Sequence, residues 1–204
     1  MTTASPDPGA LVPDGARYPA EVPATLDLAE RARIALNGLV GSVDPDGIHE
    51  MYFIGGFGCR PPYLYKDTTG WPTNNPKFAE SFPMMRVMCG SDHGLALEAD
   101  MMRSMLEAIA PDGLYYAKVG HGRPWHEGVG HIYPPVGEDF ANTYGNARML
   151  LALMAWHARR PDPALWRRMG AMAHGLCDMA IDRGHYAYYP DGRIGEAFSR
   201  PASG

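Results

Sequence analysis

The sequence has no cluster of lysines and arginines. Its 18 basic residues are outnumbered by 23 acidic ones, for a net charge of −5. Phosphate backbones are held by concentrated Lys and Arg, so nucleic acid is not an expected partner. There is also no apolar run long enough to span a bilayer, and no membrane role is expected. The opening stretch, MTTASPDPGALVPDGARYPAEVP, has neither a basic n-region nor an apolar h-region, so the expected location is the cytoplasm. Cysteine is scarce: Cys59, Cys89 and Cys177 are scattered, which predicts reduced, mostly buried thiols rather than a disulfide framework. No Gly-rich phosphate loop precedes a helix and no Gly-x-Ser-x-Gly elbow occurs, so nucleotide binding and serine-hydrolase chemistry lack a motif.

What is present suits one globular domain with a sizeable core: 204 residues, 46% hydrophobic and 20% charged. The 13 methionines are suited to irregular core gaps, and the 24 glycines and 19 prolines fall mainly between helical patterns, so the loops are long and shaped. Residues 1–24 lack periodicity and read as an extended arm; 25–204 read as the domain.

Apolar periodicity predicts about five helices. The first covers about 27–40, with Asp27 and Glu30 as a capping-box variant and Gly41 as its stop. The second covers about 77–88, kinked or restarted at Pro83 and ended by Gly90. The third, about 93–110, is capped by Ser91 or Asp92. The fourth, about 140–159, contains MLLALMAW (149–156), apolar nearly all round and therefore expected to be buried on all sides. The fifth, about 163–183, has Leu165, Met169, Met172, Leu176 and Ala180 on one stripe. Extended pieces are expected near 48–57, 114–119 and 186–194. Pro-Asp-Gly recurs at Pro45, Pro111 and Pro190, which suggests a repeated unit of helix, turn, extended loop and helix beside the plainer reading of a common turn.

The stretch with most chemistry is 111–139, PDGLYYAKVGHGRPWHEGVGHIYPPVGED. It is too long for an ordinary connection and too aromatic for a disordered one. It carries Tyr115, Tyr116, His121, Arg123, Trp125, His126, Glu127, His131, Tyr133, Glu138 and Asp139. The three histidines have no recognised zinc spacing, and neither metal nor cofactor is expected. YLYKDTTGW (63–71), FPMMRVMCGSD (82–92) and APDGLYYAKVGHGRPW (110–125) resemble the six-hairpin glycosidase superfamily, particularly its uncharacterised bacterial members, over about 25–200. The resemblance implies an all-α fold: an incomplete α/α toroid of helical hairpins with long rim loops. A closed toroid needs more helices than are read here, so the chain is expected to be the N-terminal part of a larger toroid, with an unclosed apolar edge through which it self-associates.

Glycoside hydrolysis usually needs two carboxyl groups about 5–9.5 Å apart, flanking the scissile bond. Asp67, Glu127, Glu138 and Asp139 sit beside aromatics; Glu127 and Asp67 are the expected catalytic pair, while Asp139 also suits a helix cap. Trp125, His126 and Glu127 form the densest cluster, an aromatic face beside a polar edge that suits a sugar. Trp71, Arg123, Tyr116 and Tyr133 complete the expected carbohydrate-binding set. A lyase acting on uronates, with Tyr116, His121, Arg123 and His126, and a non-catalytic binding module remain open. Because a short turn at 90–92 joins the second and third helices, the loops at 58–75 and 111–139 are expected to return to one rim.

Overall fold

The computed structural model describes residues 27–66, 70–117, 140–189 and 199–201. These residues are mostly helical, with five α-helices and short strands in two-stranded antiparallel pairs. Helix α1 (Leu28–Ser42) is capped by Asp27, whose Oδ1 accepts from the Ala29 and Glu30 N–H groups at 3.0 Å each. It passes the expected stop at Gly41 and ends where Val43 turns extended. The expected extended piece at 48–57 is split between two hairpins. Strands β1 (Val43–Asp44) and β2 (Glu50–Met51) form the first; β3 (Ile54–Gly56) and β4 (Tyr63–Tyr65) form the second. The chain changes partner at Tyr52–Phe53: the Tyr52 N–H donates to Ser42 at 2.8 Å and the Phe53 N–H to Tyr65 at 3.2 Å.

A π-helical turn, Gly70–Asn74, leads into α2 (Asn75–Cys89), which ends on left-handed Gly90. Of the two readings of Pro83, a restart does not occur: α2 continues through it as one helix. Proline has no N–H, so the carbonyl four residues earlier, on Ala79, loses its helical donor. The indole Nε1–H of Trp156, on the fourth helix (α4, Thr143–Arg159), donates to that carbonyl at 3.0 Å. Helix α3 (Leu95–Glu107) starts later than expected, after left-handed Gly94, and neither the Ser91 nor the Asp92 side chain caps it. Arg86 organises this corner instead. It is buried in an ion pair with Glu98 and donates to the carbonyls of Ser91 at 2.8 Å and His93 at 3.0 Å. These groups satisfy the turn from within, as a buried charge requires.

Strand β5 (Phe140–Asn142) precedes α4 (Thr143–Arg159) and pairs with β8 (Ser199–Pro201). Helix α5 (Pro163–Met179), capped by Asp162, is followed by the hairpin of β6 (Ile181–Asp182) and β7 (Ala187–Tyr188). Side-by-side packing runs α1, α2, α4, α5, with α2 touching both α1 and α4. The core is rich in methionine: Met101, Met105, Met149 and Met172 join Leu36, Phe82 and Leu153. The apolar stripe of α5 is buried at Leu165, Met169 and Met172, as its periodicity requires.

Two expectations fail. Helix α4 is not buried on all sides: Tyr144, Ala147, Leu151, Met154 and Ala158 form one exposed row, with Leu151 39% and Met154 52% exposed. Helices α2 and α5 flank α4 and the core lies beneath it, so an apolar sequence on its fourth side faces solvent. Only Cys89 of the three thiols is buried; Cys59 and Cys177 are exposed.

The Trp156 contact predicts a coupled pair of substitutions. Trp156→Phe leaves the Ala79 carbonyl without its donor and is expected to cost about 1–3 kcal/mol. In a Pro83→Ala background the helix supplies its own N–H, and the same change is expected to cost clearly less. Urea denaturation of the four proteins in this double-mutant cycle checks the coupling.

Candidate functional site

Two adjoining polar groups sit where the extended segments meet the helix starts. The first is the β1–β2 hairpin. Asp44 and Glu50 are directly opposed in its register, so their carboxylates leave the same face. Lys66 is buried and ion-paired with Asp44, and its ammonium lies 5.3 Å from the centroid of the Tyr52 ring. Gly47 makes room for this arrangement, since a Cβ there would collide with the Lys66 ammonium and the Asp44 carboxylate. Burial pushes the Asp44 carboxyl up, but Lys66, the Asp46 N–H and the Tyr52 hydroxyl outweigh it and hold the group below the usual carboxylate range. Burial and the Asp44 charge raise the Tyr52 phenol.

The loop between these strands is strained. Ile48 and His49 have φ of 56° and 59°, a region that β-branched residues avoid. Each such residue costs about 1–3 kcal/mol and persists only where its surroundings over-determine it. Asn75, the first residue of α2, does so here. Its amide accepts from the Met51 N–H at 2.9 Å and donates to the His49 carbonyl at 3.1 Å. His49 Nδ1 is also 3.3 Å from the Ser104 hydroxyl.

The second group is a junction between the π-helical turn and the segment that follows the second Pro-Asp-Gly. The Trp71 indole N–H donates to the Tyr116 carbonyl at 3.1 Å, and the Tyr115 hydroxyl donates to the Trp71 carbonyl at 2.8 Å. Their rings lie 5.9 Å apart. Asn146, on α4, holds the same segment: it accepts from the Tyr115 N–H at 2.7 Å and donates to the Tyr115 carbonyl at 3.0 Å. The Tyr116 hydroxyl donates to Asp112 at 2.8 Å. Gly113, at φ 83°, lies so close to the Ala171 carbonyl that a Cβ would collide with it, which docks this turn on α5. The π-helical turn contacts β2, α2 and α4, so the two groups adjoin.

The expected site residues divide accordingly. Trp71 is 1% exposed and Tyr116 is likewise buried, so neither offers a ring face to a sugar; both are part of the framework. Asp67, Arg123, Trp125, His126, Glu127 and Tyr133, with His121, His131, Glu138 and Asp139, lie outside the described residues. What the junction does bring together is one flank of each stretch: Trp71, after the one with Asp67, and Tyr116, ahead of the one with Glu127. Among the described residues, no group of three or more His, Cys, Asp or Glu could hold a metal ion.

Sequence reasoning missed Asn75, Asn146, Glu50, Tyr52 and Lys66. A signal for the asparagines existed. His49 and Tyr115, whose carbonyls the two amides grasp, each stand four places after the proline of a Pro-Asp-Gly. At Pro45 and Pro111 the order is the same, a turn, an extended segment and a helix whose first turn carries an asparagine bonded to that segment, although left-handed backbone falls on Ile48 and His49 after the first turn and on Gly113 within the second; Pro190 lies outside the described residues. No protein-family model, no curated protein and no solved structure matches the chain.

The Asp44 cluster has a pH signature. A carboxyl held below its unfolded value contributes stability above that value, about pH 3.9, and loses it as pH falls through the folded value. A phenol held above its unfolded value contributes below about pH 10 and loses it as pH rises through the folded value. Denaturation midpoints measured across pH are thus expected to fall less steeply in acid for Asp44→Asn than for the natural chain, and less steeply in alkali for Tyr52→Phe.

Proposed function

We propose that the chain is part of a carbohydrate-active enzyme, a glycoside hydrolase in which Asp67 and Glu127 share the acid/base work and Arg123, Trp125, His126 and Tyr133 hold the sugar. The observation that supports this reading is the hydrogen-bonded junction of Trp71, Tyr115 and Tyr116. It ties the flanks of two sequence-distant stretches, each with a candidate carboxylate, into one place. Two carboxylates approaching a glycosidic bond from different loops can divide proton donation and water or nucleophile chemistry between them. The cluster of Asp44, Tyr52 and Lys66 adjoins the junction; with Lys66 buried in its ion pair with Asp44, it braces this corner.

The scaffold proposed is a set of helical hairpins of the α/α-toroid kind. Two units with the same order of turn, extended segment and asparagine-bearing helix favour it, and so does the contact of α2 with α4, the helices that end those units. In such an arrangement the exposed row on α4 would be covered by further hairpins.

The test is sugar release from a panel of soluble polysaccharides. Glu127→Gln and Asp67→Asn are each expected to lower turnover about 10²–10⁴-fold with thermal stability unchanged. Unimpaired turnover in both variants would remove the assigned pair. A chain that neither cleaves nor binds any glycan would remove the reading itself.

A further inference from the structure

The β3–β4 hairpin is the most exposed aromatic feature among the described residues. Phe53, Phe57, Tyr63, Leu64 and Tyr65 lie on it, from 44% exposed at Tyr65 to 80% at Phe57. Its register assigns them to two faces. Gly56 opposes Tyr63 and Ile54 opposes Tyr65, so Tyr63 and Tyr65 share one face. Leu64 opposes Gly55 on the other, where the Phe57 ring covers Gly55. A two-stranded hairpin is marginal in water by itself, and this one exposes both faces.

The tyrosine face is ordered. The Tyr63 ring lies against Gly56, so closely that a Cβ there would overlap it. The ring is thus backed by main chain at Gly56, and the residue is 48% exposed. The Tyr65 ring follows along the strand, with centroids 5.7 Å apart and planes inclined at 39°, a spacing close to one sugar ring that suits a chain whose successive rings are turned relative to one another. Both residues are tyrosine, so each flat apolar face carries a hydroxyl at its edge. Strand β4 then runs directly into Lys66, whose ammonium is bound to Asp44. Between Phe53 and Tyr65 there is no acidic residue and one basic residue, Arg60, so the surface repels neither neutral nor acidic sugars.

We propose that the Tyr63–Tyr65 face is a stacking platform for a linear polysaccharide, on which consecutive sugar rings lie as the chain passes toward the Asp44–Lys66 cluster. This deepens the carbohydrate reading above and rests on it. The platform supplies binding area and direction and takes no part in bond cleavage. It favours long chains over short ones, because a disaccharide held at the proposed catalytic carboxylates leaves the platform empty.

Affinity electrophoresis of the full chain in gels containing xylan, galactomannan, polygalacturonate or hydroxyethylcellulose tests it, with the corresponding disaccharides as competitors. At least one polymer is expected to retard the chain. Tyr63→Ala combined with Tyr65→Ala is expected to weaken that binding about tenfold to a hundredfold, the size of two lost stacking contacts. The paired Phe substitutions are expected to retain it, and melting temperatures report that all variants fold. Retardation undiminished in the Ala variant overturns the platform and leaves the carbohydrate reading standing. A natural chain that no polymer retards overturns both. Binding to phospholipid vesicles alone, lost in the Ala variant, makes the hairpin a membrane contact and also overturns the platform.

Discussion

A buried peptide group must find a hydrogen-bonding partner, and a short extended segment packed under helices has an edge that no strand pairs. Two asparagines meet that need here. Asn75 and Asn146 are both fully buried, and each presents a side-chain amide to a main-chain carbonyl and N–H, as a strand would. They stand at the starts of α2 and α4, the two helices that pack on each other. Each helix thereby fixes where its preceding loop enters. The strain at Ile48 and His49 is tolerable because Asn75 bonds on both sides of it. The Trp71–Tyr115–Tyr116 junction is possible because Asn146 has already set the position of Tyr115.

The same economy recurs in the helices. Pro83 would leave a carbonyl orphaned on Ala79, and Trp156 of α4 supplies the missing donor, so an apparent helix breaker becomes a specific α2–α4 contact. Arg86 closes the α2–α3 corner by combining a buried ion pair with two turn carbonyls. In each case a polar side chain from one element answers a backbone group of another, which links packing to loop placement. The exposed parts are of a different kind. The α4 row and the β3–β4 hairpin are apolar or aromatic surfaces attached to a framework whose polar groups are largely satisfied internally.

Much of the helical framework was legible in the sequence because amphipathic periodicity reports burial directly. The Leu165–Met169–Met172 stripe and the Asp27 cap are examples. Helix 4 shows the limit: apolar composition at Leu151 and Met154 states what could be buried, and burial depends on neighbours that periodicity does not count. At Pro83 the sequence does not decide between a kink and a restart, since what keeps the helix whole there comes from a residue 73 positions away (83 to 156). The sequence suggests Trp71 as a ligand platform because aromatic residues between helices suit sugars, whereas it is buried in the core within a π-helical turn. The roles of Asn75 and Asn146 are set by partners distant in sequence, and only the four-residue offset from each Pro-Asp-Gly hinted at them.

The central claim is that Asn146 holds the junction as one unit. Hydrogen–deuterium exchange followed by peptide mass spectrometry tests it most directly, comparing the natural chain with Asn146→Ala. Asn146 bonds to Tyr115. If the junction is a unit, the substitution speeds exchange in the segment around Tyr115–Tyr116 and in the π-helical turn around Trp71 together, while α5 keeps its protection. Faster exchange confined to the Tyr115 segment, with the Trp71 turn as protected as before, would contradict it.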